Sequence, residues 1–93
     1  MNKKDKLIEL FKASIDDNAE YIAVAIETKG SEDVEIIVNT RKNFDNKLAY
    51  YCKAYNDDLI LNTYDGIRIV GVLEIKDDIP IDMIYDGLLY SEF

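Results

Sequence analysis

Three aspartates, Asp78, Asp82 and Asp86, recur at four-residue intervals near the end of a 93-residue chain. On a helix that spacing sets carboxylates along one edge, rising about 6 Å per step. Such a row can imitate a nucleic-acid backbone and occupy a groove built for one. The match is loose, because phosphates advance only about 3.4 Å per residue along a duplex axis. Tyr90 follows, and tyrosine beside carboxylate makes good contact surface, with large area at modest entropy cost. Residues 76–93 carry Asp77, Asp78, Asp82, Asp86 and Glu92 against Lys76 alone, which is half of the chain's net charge of −8. Asp78, Asp82, Asp86 and Tyr90 are therefore the candidate partner-binding residues. The plainer reading is a solvated helix edge whose first carboxylates favour the helix N-terminus.

Other chemistry is poorly supplied. The chain has no His and one Cys, which removes His-based triads, zinc fingers and Cys-pair redox sites. Cys52 stands between Tyr51 and Tyr55 with no activating partner in view, and reads as a buried thiol. No segment fits the alternating oxygen ligands and fixed glycine of a calcium loop. Asp57 and Asp58 are adjacent acids of the kind that end helices or line turns, so no metal and no cofactor is expected. There is no glycine-rich phosphate loop and no nucleophile elbow. Lys+Arg is 11 against 19 Asp+Glu, which argues against a direct nucleic-acid binder. The expectation is a protein that is not an enzyme.

These residues must be positioned by one small domain spanning 1–93, since the length leaves no room for a second. A content of 48% hydrophobic residues is enough for a core. No apolar run approaches the roughly 18 residues of a membrane span. Leu7, Ile8, Phe11 and Ile15 predict a first helix near residues 4–17, and Asn18 suits a left-handed cap. Tyr21 to Ile26 is almost continuously apolar and predicts a central strand covered on both faces. A turn at Lys29-Gly30-Ser31 leads to a second strand over Val34–Val38. Asn43 is the expected N-cap of a second helix, whose stripe of Phe44, Leu48, Tyr51, Cys52, Tyr55 and Leu59 carries it to about residue 62. The alternative is a short strand at Leu59-Ile60-Leu61. Ile67–Ile75 is a third strand, with Ile67, Ile69, Leu73 and Ile75 on one face and Val70 and Val72 on the other. Gly71 leaves a gap suited to a bulge or close approach. A last helix follows, with Pro80 in its first turn and Ile81, Ile84, Tyr85 and Leu88 on its buried side. The predicted fold class is α+β, ordered α-β-β-α-β-α, with a three-stranded antiparallel sheet of order 2-1-3. Phe11, Val24, Ile36, Leu48, Cys52, Ile69 and Ile84 are the expected core.

Ile, Asn, Lys and Tyr make up 36 of the 93 residues, a bias toward A/T-rich codons. Asn43-Phe44-Asp45-Asn46-Lys47-Leu48-Ala49-Tyr50-Tyr51, Ala54-Tyr55-Asn56-Asp57-Asp58-Leu59 and Ile67-Arg68-Ile69-Val70-Gly71 resemble small uncharacterised phage and prophage proteins of low-GC Gram-positive bacteria. The resemblance covers about residues 20–72 and carries no catalytic residues. It implies an accessory protein in the host-cell cytoplasm, of a kind that includes blockers of host defence. The expected function is a binding inhibitor, anti-CRISPR or anti-restriction, with an acidic and aromatic surface for a host protein that has a basic groove. A homodimer is compatible with this reading. Two alternatives stay open: a protein that sequesters a small molecule or nucleotide signal, with Arg41 and Arg68 the only arginines for phosphate, and a structural or assembly module.

Overall fold

The computed structural model describes residues 2–76, and the predicted last helix with its Ile84 lies outside them. Helix α1 spans Lys3–Asp16. It starts where the Asn2 side chain accepts the Asp5 N–H at 2.8 Å, a good N-cap. It ends in a Schellman turn: Asn18 takes φ +57°, its N–H donates to Ile15 O, and the Ala19 N–H donates to Ser14 O. Asn tolerates that left-handed conformation, as expected for residue 18.

Strands β1 (Tyr21–Thr28), β2 (Glu35–Thr40) and β3 (Ile67–Ile75) form one antiparallel sheet in the order β2-β1-β3. β1 is the central strand, paired on both sides, and buries Ile22, Val24 and Ile26 on one face and Ala23 and Ala25 on the other. The turn from β1 to β2 uses Gly30 at φ +90°, with the Ser31 N–H on Thr28 O at 3.0 Å. In β3 the pairing with β1 shifts between Ala25 and Ile26, where Gly71 and Ile69 are the partners. Val70 is thus the extra residue of a β-bulge beside the glycine. The bulge corrects the expected alternation. Ile67 and Ile69 pack toward the helices with Val72, whereas Val70, Leu73 and Ile75 pack on the opposite face.

Helix α2 spans Phe44–Ala54, preceded by a 3-10 turn over Arg41–Asn43. Asn43 takes the expected N-cap position, but its side chain makes no capping bond. Its backbone is already helical and its amide reaches Thr40 Oγ1 instead. Nor does α2 run to residue 62. The Asn56 side chain accepts the N–H groups of Asp58 and Ile60, which draws them away from a helical ladder. The chain turns back, Tyr55 bridges Leu61, and Asn62 covers the exposed end of α2 by donating to Lys53 O and Ala54 O. Leu59 sits in this turn at φ +61°, an uncommon conformation for a branched side chain, and its burial offsets the strain.

Both helices pack on one face of the sheet. Phe11 is buried edge-on against Phe44 (6.3 Å between ring centres) and Tyr51 (6.0 Å), and Tyr51 meets Tyr55 at 6.0 Å. Such geometry adds about 0.5–1.5 kcal/mol per pair beyond area burial. Phe11, Val24 and Ile69 are buried as expected. Ile36, Leu48 and Cys52 are only half-buried: Ile36 lies on an edge strand, and Leu48 and Cys52 flank the core-facing line of α2.

Candidate functional site

The predicted contact residues Asp78, Asp82, Asp86 and Tyr90 lie outside the described residues. Within them, the fold gathers a different acidic surface at the turn between β1 and β2. Glu32, Asp33 and Glu35 are all exposed there. The Lys29 N–H donates to Gly66 O at 2.7 Å, which holds the loop before β3 beside the turn. That contact brings Tyr64 and Asp65 to the same end of the sheet. Asp65 is exposed and Tyr64 is 48% exposed. None of Glu32, Asp33, Glu35 and Asp65 forms an ion pair among the described residues, and Lys29 is the only base within this turn. Gly66 leaves room for the Tyr64 ring: a Cβ there would lie 2.5 Å from the ring, which would have to swing aside.

The opposite end of the sheet is acidic in composition but internally paired. Glu20 meets Arg41 at 2.6 Å, and Asp17 meets Lys76 at 4.0 Å. Arg41 also donates to Ala19 O and Asn18 O, so it acts as a clamp on the connection from α1 to β1. A shallow groove of about 410 Å³ opens here, lined by Glu20, Tyr21, Thr40, Arg41 and Lys42.

Two further grooves share Tyr50 on the outer side of α2. One, of about 360 Å³, is lined by Asn43, Asn46, Lys47 and Tyr50. The other, of about 460 Å³, is lined by Tyr50, Lys53, Ala54, Leu61, Asn62 and Thr63. The Lys47 ammonium stands 5.8 Å from the Tyr50 ring centre, within reach of a cation–π contact. Spacing in the sequence already placed Tyr50 off the core stripe. Its company in a groove depended on the chain turning back after Ala54.

Burial raises the pKa of Tyr51; Asn39, facing its hydroxyl, lowers it in part, and Tyr50 adds to the rise. Burial also raises the pKa of Tyr55, helped by Tyr50, Tyr51 and Glu35. Neither phenol is a base or nucleophile near neutral pH. Ser14 Oγ, Asn39 Oδ1, Tyr51 Oη and Glu74 Oε1 are buried without a well-formed hydrogen bond among the described residues, and none of the three grooves is lined by them. Among the described residues no group of three or more carboxylates or thiols could hold a metal ion, and no helix is long and apolar enough to cross a membrane. Arg41 lies at the β1 start beside Tyr21, while Arg68 pairs with Glu27 near its end, about 20 Å away at strand rise. One phosphate-bearing ligand in a single chain would not reach both.

No family model, curated protein or solved structure matches this chain.

Proposed function

We propose that this protein is a small non-enzymatic inhibitor that binds a basic groove on a host-defence protein, in the manner of a phage anti-CRISPR or anti-restriction protein. The observation that carries the reading is the acidic end of the sheet, where Glu32, Asp33, Glu35 and Asp65 are exposed and form no ion pair among the described residues, with Tyr64 at the same end. Unpaired like charge in a chain of net −8 weakens a fold slightly and accelerates encounter with a basic partner. Tyr64 supplies the large contact area that charge alone lacks. Asp78, Asp82, Asp86 and Tyr90 are the second proposed contact segment, contributing half of the net charge with their neighbours.

The test is capture from lysate of a low-GC Gram-positive bacterium followed by mass spectrometry. Wild type should recover a nuclease or its guide complex, with binding that weakens as salt rises. The triple reversal Glu32→Lys, Asp33→Lys and Asp65→Lys should lower affinity by at least tenfold with the fold intact by circular dichroism. Reversal of Asp78, Asp82 and Asp86 to Lys should do the same if the second segment contributes. Equal affinity of the turn variant and wild type at low salt would overturn the assignment to the turn. A nucleotide found in the purified protein would instead favour sequestration of a small molecule.

A further inference from the structure

The two edges of the sheet are finished differently. The first part of β3 is covered: Leu61 N–H donates to Ile67 O, Ile69 N–H donates to Leu59 O, and Ile60 bridges Arg68. Among the described residues no strand lies beyond β2. The ladder fixes which of its groups are free. Arg41 N–H on Glu20 O sets the phase of the β1–β2 pairing, in which Ile22 faces Asn39, Val24 faces Ile37 and Ile26 faces Glu35. In an antiparallel ladder the groups of alternate residues point the same way. Glu35, Ile37 and Asn39 therefore turn their N–H and C=O toward β1, and Ile36, Val38 and Thr40 turn theirs outward.

Among the described residues this edge lacks the usual protection against another strand. Glu35-Ile36-Ile37-Val38-Asn39-Thr40 holds no Pro, no Lys and no bulge. Val38 is 43% exposed, although it is a β-branched apolar residue in a strand. The strand is also self-complementary. A two-fold axis through Ile37 puts Ile36 of one copy opposite Val38 of the other, and Glu35 opposite Asn39. Opposed residues share a face, so Ile36 and Val38 form an apolar β-branched pair, worth about 0.2–1 kcal/mol in a sheet. No carboxylate meets another, and the outward N–H and C=O groups of Ile36 and Val38 pair with each other.

The geometry points to a homodimer in which β2 pairs antiparallel with β2 of a second copy, making one continuous six-stranded sheet. A strand of six residues buries less than the roughly 1,000 Å² of a stable interface, so the dimer is weak and forms at about tens to hundreds of micromolar. The proposal does not depend on the acidic turn, which its variants leave unchanged.

Sedimentation of the full chain from 20 to about 500 µM tests it. The mass should rise from 10.7 kDa toward twice that value with concentration. Val38→Lys places a charge on the edge, and Val38→Pro removes an outward N–H without touching the ladder to β1. Both should stay monomeric across the range while circular dichroism shows them folded. Amide exchange at Ile36, Val38 and Thr40 should slow in concentrated wild type and not in Val38→Lys. A wild type that remains monomeric at 500 µM, or a folded Val38→Lys that still dimerises, would overturn the proposal and leave the edge to another protein's strand.

Discussion

On the face of the sheet beneath the helices, β1 presents Ile22, Val24 and Ile26; on the other face it presents Ala23 and Ala25. Both sets are buried. The first set meshes with Leu7, Phe11, Phe44, Tyr51, Tyr55 and Leu59, a core of large side chains closed by edge-on rings. The second packs with the buried Ile75 and is bordered by Tyr21, Val34, Ile36, Val70 and Leu73, all only partly buried. Equal burial on one strand therefore hides unequal dependence. Each large residue on the helical face has many contacts to lose, while the alanines opposite contribute little apolar area of their own.

Deleting a ring from the helical face should have the largest effect. Phe11→Ala removes a fully buried side chain that meets two other rings, and should cost about 3–5 kcal/mol in urea denaturation. On the opposite face Leu73→Ala should cost only about 1–2 kcal/mol, since Leu73 is half-buried. Equal losses at the two sites would break the contrast between faces.

Titration sharpens the contrast with a smaller effect. Tyr51 has a folded pKa above its ordinary 10.0, mainly through burial, so the unfolded chain loses this proton first as pH rises. Stability from Tyr51 is fully present below pH 10 and declines above it. Tyr51→Phe should change stability by less than about 1 kcal/mol at pH 7, because the hydroxyl has no well-formed hydrogen bond to lose. The same variant should flatten the alkaline decline measured by urea denaturation between pH 9 and 11. Tyr55, shifted in the same direction, should add to the decline. An unchanged alkaline slope in Tyr51→Phe would show that the buried ring does not control it.

Much of this architecture is legible from local pattern. The doubly apolar run at Tyr21–Ile26 marks the central strand, and Asn18 stands where the chain needs a left-handed residue. Tyr51 and Tyr55 fall in the core because three- and four-residue steps share one helix face. Gly71 marks the position where β3 slips register. The pattern misleads where a polar side chain competes with the backbone. Asn56 ends the helical stripe by accepting two N–H groups, although Leu59 continues the apolar spacing. It misleads again at β3, where one extra residue in the bulge reverses which face each later side chain takes.

The sequence by itself determined the α+β class, the central strand, the strand order and the acidic surplus, because these follow from composition and from spacing between near neighbours. Only the tertiary structure decided which charges stand together unpaired. Tyr64 and Asp65 come to the same end of the sheet as Glu32 and Asp33 because the Lys29 N–H donates to Gly66 O across 37 positions of the chain. Asp17 and Glu20, equally acidic in the sequence, are paired by Lys76 and Arg41, which the sheet brings from distant positions. A charge pattern along the chain records sign and spacing; which charges are paired depends on distances that exist only after the strands align.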